Sequence, residues 1–140
     1  MGGGSKFFSK ETRSDKADLV QKYKTAGYTV LQNRDAMMSL STKGNKPVLG
    51  LYSENALPYT LDAMHDSNLQ NTVPTLAEMT QKSIDILSQN SKGFVMQVEG
   101  GKVDWAAHSN DTAGLLYDQI AFDDAIKVLW ILQPAIRKRW

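Results

Sequence analysis

At 140 residues, with 41% hydrophobic and 22% charged residues, the chain has the composition of a globular domain with room for one core. A formal net charge of +1, with Lys and Arg spread along the chain, gives no reason to expect a nucleic acid or a charged membrane as partner. The absence of cysteine excludes disulfides and thiolate zinc sites, and no apolar run approaches the length that spans a bilayer.

Met1 leads straight into Gly2-Gly3-Gly4, a glycine run of the kind found inside βα connections, with no charged-then-apolar leader before it. As written, the chain is expected to stay in the cytoplasm. Ser14 is expected to cap a helix through Ala26, with Asp15 in its first turn, Leu19, Val20 and Tyr23 on its buried face and Gly27 ending it. Tyr28 to Leu31 reads as a strand, Asn33 as the cap of a short helix from Asp35 to Leu40, and Pro47 to Tyr52 as the next strand. That is βαβ rhythm.

Ser53 to Val73 is expected to be irregular, a surface excursion in which His65 is exposed or hydrogen-bonded rather than a ligand. Thr75 and Glu78 form a capping box that opens a helix to about Gln89, presenting Leu76, Met79, Ile86 and Leu87 inward. After Gly93, the segment Phe94 to Val98 is apolar almost throughout and reads as a buried parallel strand. Asp111 or Thr112 starts the last helix, where Leu115, Leu116, Ile120, Ala125 and Ile126 recur at helical spacing and Asp118, Asp123 and Asp124 read as a solvated face. Pro134 should break that helix. No repeat, low-complexity segment or domain boundary is visible.

The chemistry is concentrated in Val98-Glu99-Gly100-Gly101-Lys102-Val103-Asp104-Trp105-Ala106-Ala107-His108. Asp104 and His108 are four apart, so on a helical turn they share a face and can converge on one ion. Glu99, across the Gly-Gly hinge, can serve a neighbouring ion. The plain alternative is a solvated turn, since acids and histidines beside glycine pairs are mostly surface residues. Ligands after a buried strand also fit the rule that open α/β sheets bind at strand carboxyl ends.

Glu99-Gly100-Gly101, the acid five positions after that Glu, the His four beyond it and the preceding Phe94 to Val98 together resemble the alkaline phosphatase family. Met1-Gly2-Gly3-Gly4-Ser5-Lys6-Phe7-Phe8 and Pro74-Thr75-Leu76-Ala77-Glu78-Met79-Thr80 extend the resemblance, which runs from residue 1 to about Val128. It implies an α/β fold, an incomplete three-layer sandwich with a mostly parallel sheet. Residues 1–128 would be part of a catalytic domain and residues 129–140 a tail foreign to the family.

The resemblance further implies a metal-dependent hydrolase of phosphate monoesters that works through a phosphoserine. Glu99 would bind Mg2+, and Asp104 and His108 would bind one of two Zn2+ ions. A zinc pair can activate an attacking oxygen and stabilise a leaving one. The nucleophilic Ser belongs to a segment this sequence lacks, as do an Asp shared between metals, a later Asp-His pair and a further His; only two His are present. The resemblance implies that the chain is the middle of a longer, homodimeric parent that is exported or attached to the cell envelope, and the chain is expected to have no activity of its own. Trp105 departs from the pattern, since some family members carry Lys or His there to help hold phosphate. Its alternative role is packing beside the site.

Two other readings stand beside this one: a non-catalytic module that binds a divalent ion, and another metallohydrolase of the same superfamily, such as a phosphodiesterase or phosphomutase relative. The tail from Leu129 to Trp140 matches nothing in the family. A freely chosen reverse translation with one nucleotide restored after Val128 yields a stretch like the family's next helix, which predicts a frameshift there. The basic cluster Arg137-Lys138-Arg139 lies in that tail. Sheet edges left open by missing strands should make the isolated chain prone to aggregate.

Overall fold

The computed structural model describes the backbone of residues 1–44 and 46–137, with side chains through residue 131. In chain order the elements are a 3-10 turn (Ser5–Phe7), α1 (Leu19–Thr25), β1 (Thr29–Leu31), α2 (Arg34–Ser39), β2 (Val48–Gly50), α3 (Thr60–His65), α4 (Ser67–Thr72), α5 (Leu76–Leu87), α6 (Gly101–His108) and α7 (Thr112–Arg137). The class is α/β, as the sequence predicts. Two compact units are present: Met1–Pro58 with Asp66–Pro74, and Tyr59–His65 with Thr75–Trp140. The chain passes between units after Pro58, His65 and Pro74. None of these crossings has the composition of a linker, so the sequence shows no boundary.

In the first unit β1 and β2 pair in parallel, with Thr29 opposite Val48, Val30 opposite Leu49 and Leu31 opposite Gly50. Gly2 forms a parallel bridge with Leu51, donating its N–H to the Gly50 carbonyl at 3.0 Å and accepting from the Tyr52 N–H at 2.8 Å. The opening glycine run thus lies along β2. A Cβ at Gly3 would collide with the Asn55 carbonyl and stand 2.9 Å from the Leu57 nitrogen, so only glycine fits this approach. Leu31, Met37, Leu51 and Tyr52 form the buried centre.

Helix α1 begins at Leu19, later than the Ser14 start expected. The Asp18 carboxylate accepts the Gln21 N–H at 2.8 Å, and Lys16 has a left-handed φ of 53°, which no continuous helix passes through. Asp15 pairs with Arg13 instead of supporting a first turn. Gly27, at φ 88°, follows the end of the helix as expected. Asn33 caps α2 through the Ala36 N–H at 2.8 Å, also as expected.

The irregular excursion expected from Ser53 to Val73 instead contains α3 and α4. The latter is capped by Asp66, which accepts from the Asn68 and Leu69 N–H groups. Both helices are only six residues long, and α4 is polar almost throughout, so apolar periodicity does not announce them. His65 is exposed, and its Nδ1 lies 2.9 Å from the Leu61 carbonyl oxygen.

In the second unit α3, α5 and α6 pack against α7, around Met79, Thr80, Ile84, Ala106 and Ala125. The capping box of α5 forms as predicted: the Thr75 hydroxyl accepts the Glu78 N–H at 3.2 Å and the Glu78 carboxylate accepts the Thr75 N–H at 3.0 Å. Asp111 accepts the Gly114 N–H at 2.9 Å ahead of α7.

Three expectations fail in this unit. Phe94 to Val98 is no strand, because a strand exists only through a ladder and this segment pairs with none among the described residues. The period of two nevertheless survives: Phe94, Met96 and Val98 are partly buried, while Gln97 is exposed and Val95 is 99% exposed. Asp118 is not on a solvated face but 8% exposed, accepting the Thr60 hydroxyl at 2.9 Å and the Thr60 N–H at 3.3 Å. Pro134 does not end α7, which runs to Arg137; a proline removes one rung of the ladder, and the helix continues past it. Lys138 and Arg139 of the basic cluster lie outside the described residues. No helix among the described residues is long and apolar enough to cross a membrane.

Candidate metal centre

Glycine places α6. A Cβ on Gly100 would come within 2.9 Å of the Phe122 ring, so glycine allows the start of α6 to seat directly on α7. Ala106, fully buried, continues that small-residue contact one and a half turns on. With Ala106 facing inward, Asp104 and His108 fall on the outer face.

There the structure brings the two predicted zinc ligands together. His108 Nε2 lies 3.5 Å from Asp104 Oδ1, with the two side chains 81% and 72% exposed. Zinc bonds of about 2.0–2.1 Å in a tetrahedron set donor atoms about 3.3 Å apart, so this separation suits one shared ion. One carboxylate oxygen and one imidazole nitrogen would supply two of the four donors such an ion takes. Glu99 is also exposed and precedes α6 across Gly100; its Oε1 lies 3.7 Å from where a Gly101 Cβ would stand. Among the described residues no three His, Cys, Asp or Glu side chains gather closely enough to hold a metal, so Glu99 does not join the Asp104–His108 pair.

Trp105 is half-exposed, and its environment adds a residue that sequence reading missed. The Lys102 ammonium stands 4.2 Å from the Trp105 ring centroid and 4.1 Å from that of Tyr59. A cation between two aromatic faces is attracted by both quadrupoles. The sequence signal was the i, i+3 spacing of Lys102 and Trp105; Tyr59, 43 positions before Lys102, gave none.

A family model described as alkaline phosphatase matches residues 1–133. Alkaline phosphatase 4 of Bacillus subtilis (strain 168) is 38% identical over 127 residues, covering 91% of this chain and 25% of the relative. The alkaline phosphatase of Escherichia coli (strain K12) is 28% identical over 147 residues, covering 91% of this chain and 31% of the relative. Among solved structures, the Thermus thermophilus alkaline phosphatase superposes with a TM-score of 0.81 at 32% identity, over 91% of this chain and 26% of that one. A cold-active alkaline phosphatase from Shewanella sp. gives 0.76 at 37% identity, over 99% and 30%. The chain thus spans between a quarter and a third of the length of these relatives. On the family match and the shared fold, the chain belongs to the alkaline phosphatase family.

Proposed function

We propose that this chain carries the central metal-binding segment of a phosphomonoesterase, with Asp104 and His108 as ligands of one Zn2+ and Glu99 as a ligand of Mg2+. The single observation behind this reading is the Asp104–His108 pair, 3.5 Å apart on the outer face of α6 and left open to solvent. When bound, the metals supply charge stabilisation to a phosphoryl group whose unaided hydrolysis is very slow. The chain's own part is to hold an oxygen and a nitrogen donor at fixed separation on a rigid helix, and Gly100 and Ala106 set that helix against α7. The serine that becomes phosphorylated comes from a segment outside this sequence, as do the remaining zinc ligands.

On this reading the parent hydrolyses phosphate monoesters, is exported or attached to the cell envelope and forms a homodimer, and nucleic acid is no partner. The present chain alone turns nothing over. A frame change near Val128 belongs to the same reading; the coding DNA tests it, because the shifted frame must continue into a strand ending in Asp-His.

Calorimetric zinc titration tests the metal assignment. Two ligands without neighbours hold zinc weakly, and Asp104→Ala or His108→Ala abolishes that binding, while Glu99→Ala leaves it in place. Zinc binding that survives both substitutions would overturn the assignment. Tight zinc binding by the unaltered chain would favour a dedicated metal-binding module. Hydrolysis of a chromogenic phosphate ester that disappears in Asp104→Ala would refute the absence of turnover.

A further inference from the structure

We infer that the cleft of about 530 Å3 lined by Lys6, Phe7, Thr12, Arg13 and Ser14 binds the phosphate group of a small phosphorylated molecule, through residues none of which belongs to the metal face of α6. The cleft lies wholly within the first unit. Its two charged lining residues are Lys6 and Arg13; Arg13 is ion-paired with Asp15, so Lys6 carries the uncompensated charge. Glu11 accepts the Ser9 hydroxyl, and Asp15 accepts from Arg13 Nε at 2.8 Å and from the Ala17 N–H at 3.1 Å.

Those bonds leave donors spare. Arg13 gives Nε and Nη2 to Asp15 and one Nη1 hydrogen to the Phe7 carbonyl at 3.0 Å, so two of its N–H groups remain. Lys6 Nζ gives one hydrogen to Asn55 Oδ1 at 2.6 Å and keeps two. The Ser14 hydroxyl is exposed and makes no hydrogen bond among the described residues. Spare N–H and O–H donors among lining residues that include no acid suit a group whose oxygens only accept, and charge assistance strengthens each bond. Asp15 and the Phe7 carbonyl also hold the guanidinium in place before any ligand arrives.

The cleft is larger than a bare phosphate needs and has the size of a small-molecule site. Phe7, 63% exposed, offers an apolar surface for the organic part, with the Lys6 ammonium 5.1 Å from its ring centroid. Hence the ligand class is a phosphorylated organic molecule rather than an inorganic anion alone.

The test uses the full chain stripped of metal with a chelator, so that phosphate held by zinc cannot be mistaken for this site. Inorganic phosphate and phenylphosphonate, which cannot be hydrolysed at its carbon–phosphorus bond, are titrated while backbone amide signals are followed by NMR. Both should shift Lys6, Phe7, Thr12, Arg13 and Ser14 saturably, and phenylphosphonate should bind more tightly. Lys6→Gln keeps an amide to meet Asn55 but removes the charge, and should weaken phosphate binding about tenfold. Ser14→Ala loses no internal bond, folds unaltered and should weaken it about threefold. Shifts confined to other residues, unchanged affinity in both variants, or an equal response to chloride would overturn the proposal. Should Lys6→Gln disturb folding, Ser14→Ala decides alone.

Discussion

Asp104 on α6 and Asp118 on α7 are acids on two helices that pack together, yet the fold treats them in opposite ways. Asp118 is 8% exposed and both its oxygens accept hydrogen bonds from Thr60, so its charge is spent on holding α3 to α7. Asp104 is 72% exposed, with the His108 imidazole 3.5 Å away. A carboxylate taken out of water must be satisfied by its own fold, whereas one left at the surface with open lone pairs remains free for an ion. Residue type and helical setting are shared; donor supply separates structure from chemistry.

Substitution can break or sharpen that contrast. Asp118→Ala strands the Thr60 hydroxyl and N–H and should cost about 2–3 kcal/mol in urea unfolding, whereas Asp104→Ala should stay within about 0.5 kcal/mol while losing zinc. Equal losses would show that the two acids do not differ in kind. Gly100→Ala comes next: its methyl would press on Phe122 at 2.9 Å, and overpacking should cost about 2 kcal/mol by the same assay and loosen zinc by shifting α6.

A buried hydroxyl extends the test to the first unit. Tyr52 is 5% exposed and its oxygen, lying against Gly50, has no hydrogen-bond partner among the described residues; burial pushes its pKa up to about 12. Tyr52→Phe removes an unpaired polar atom and should raise stability by about 1 kcal/mol, the reverse of Asp118→Ala. The smallest effect belongs to Asp15, where the Arg13 side chain first, then the Ala17 N–H, lowers the pKa from 3.8 to about 2. Because the folded value is depressed, its small contribution is complete above about pH 4 and is lost as pH falls through about 2. Arg13→Gln should move the Asp15 carboxyl titration, followed by NMR, back toward 3.8; no movement would show that the Arg13 pair is not the cause.

The sequence was legible where the deciding interaction is local. The Thr75–Glu78 box, the Asn33 cap and the Asp104–His108 pair each join residues three or four apart, and each is present. Ser14 failed as a cap for a local reason too: Asp18 competes for the role, and the left-handed Lys16 was not visible in residue types. Distant partners were illegible. Asp118 meets Thr60 58 residues away, so nothing on α7 distinguishes it from the exposed Asp123 and Asp124 that pair with Lys127. Phe94 to Val98 kept its alternation without its ladder, since the side-chain pattern belongs to the segment and pairing belongs to a neighbour. α3 and α4 are held by end bonds that apolar periodicity does not report.

The lysine wedged between Tyr59 and Trp105 has an optical consequence. Indole emission responds to a nearby positive charge, and this indole is covalently next to the aspartate expected to receive zinc. Metal arriving at that face therefore registers in the near-ultraviolet without any added dye, and Trp105→Phe erases the signal while Trp130 and Trp140 continue to fluoresce as an internal standard.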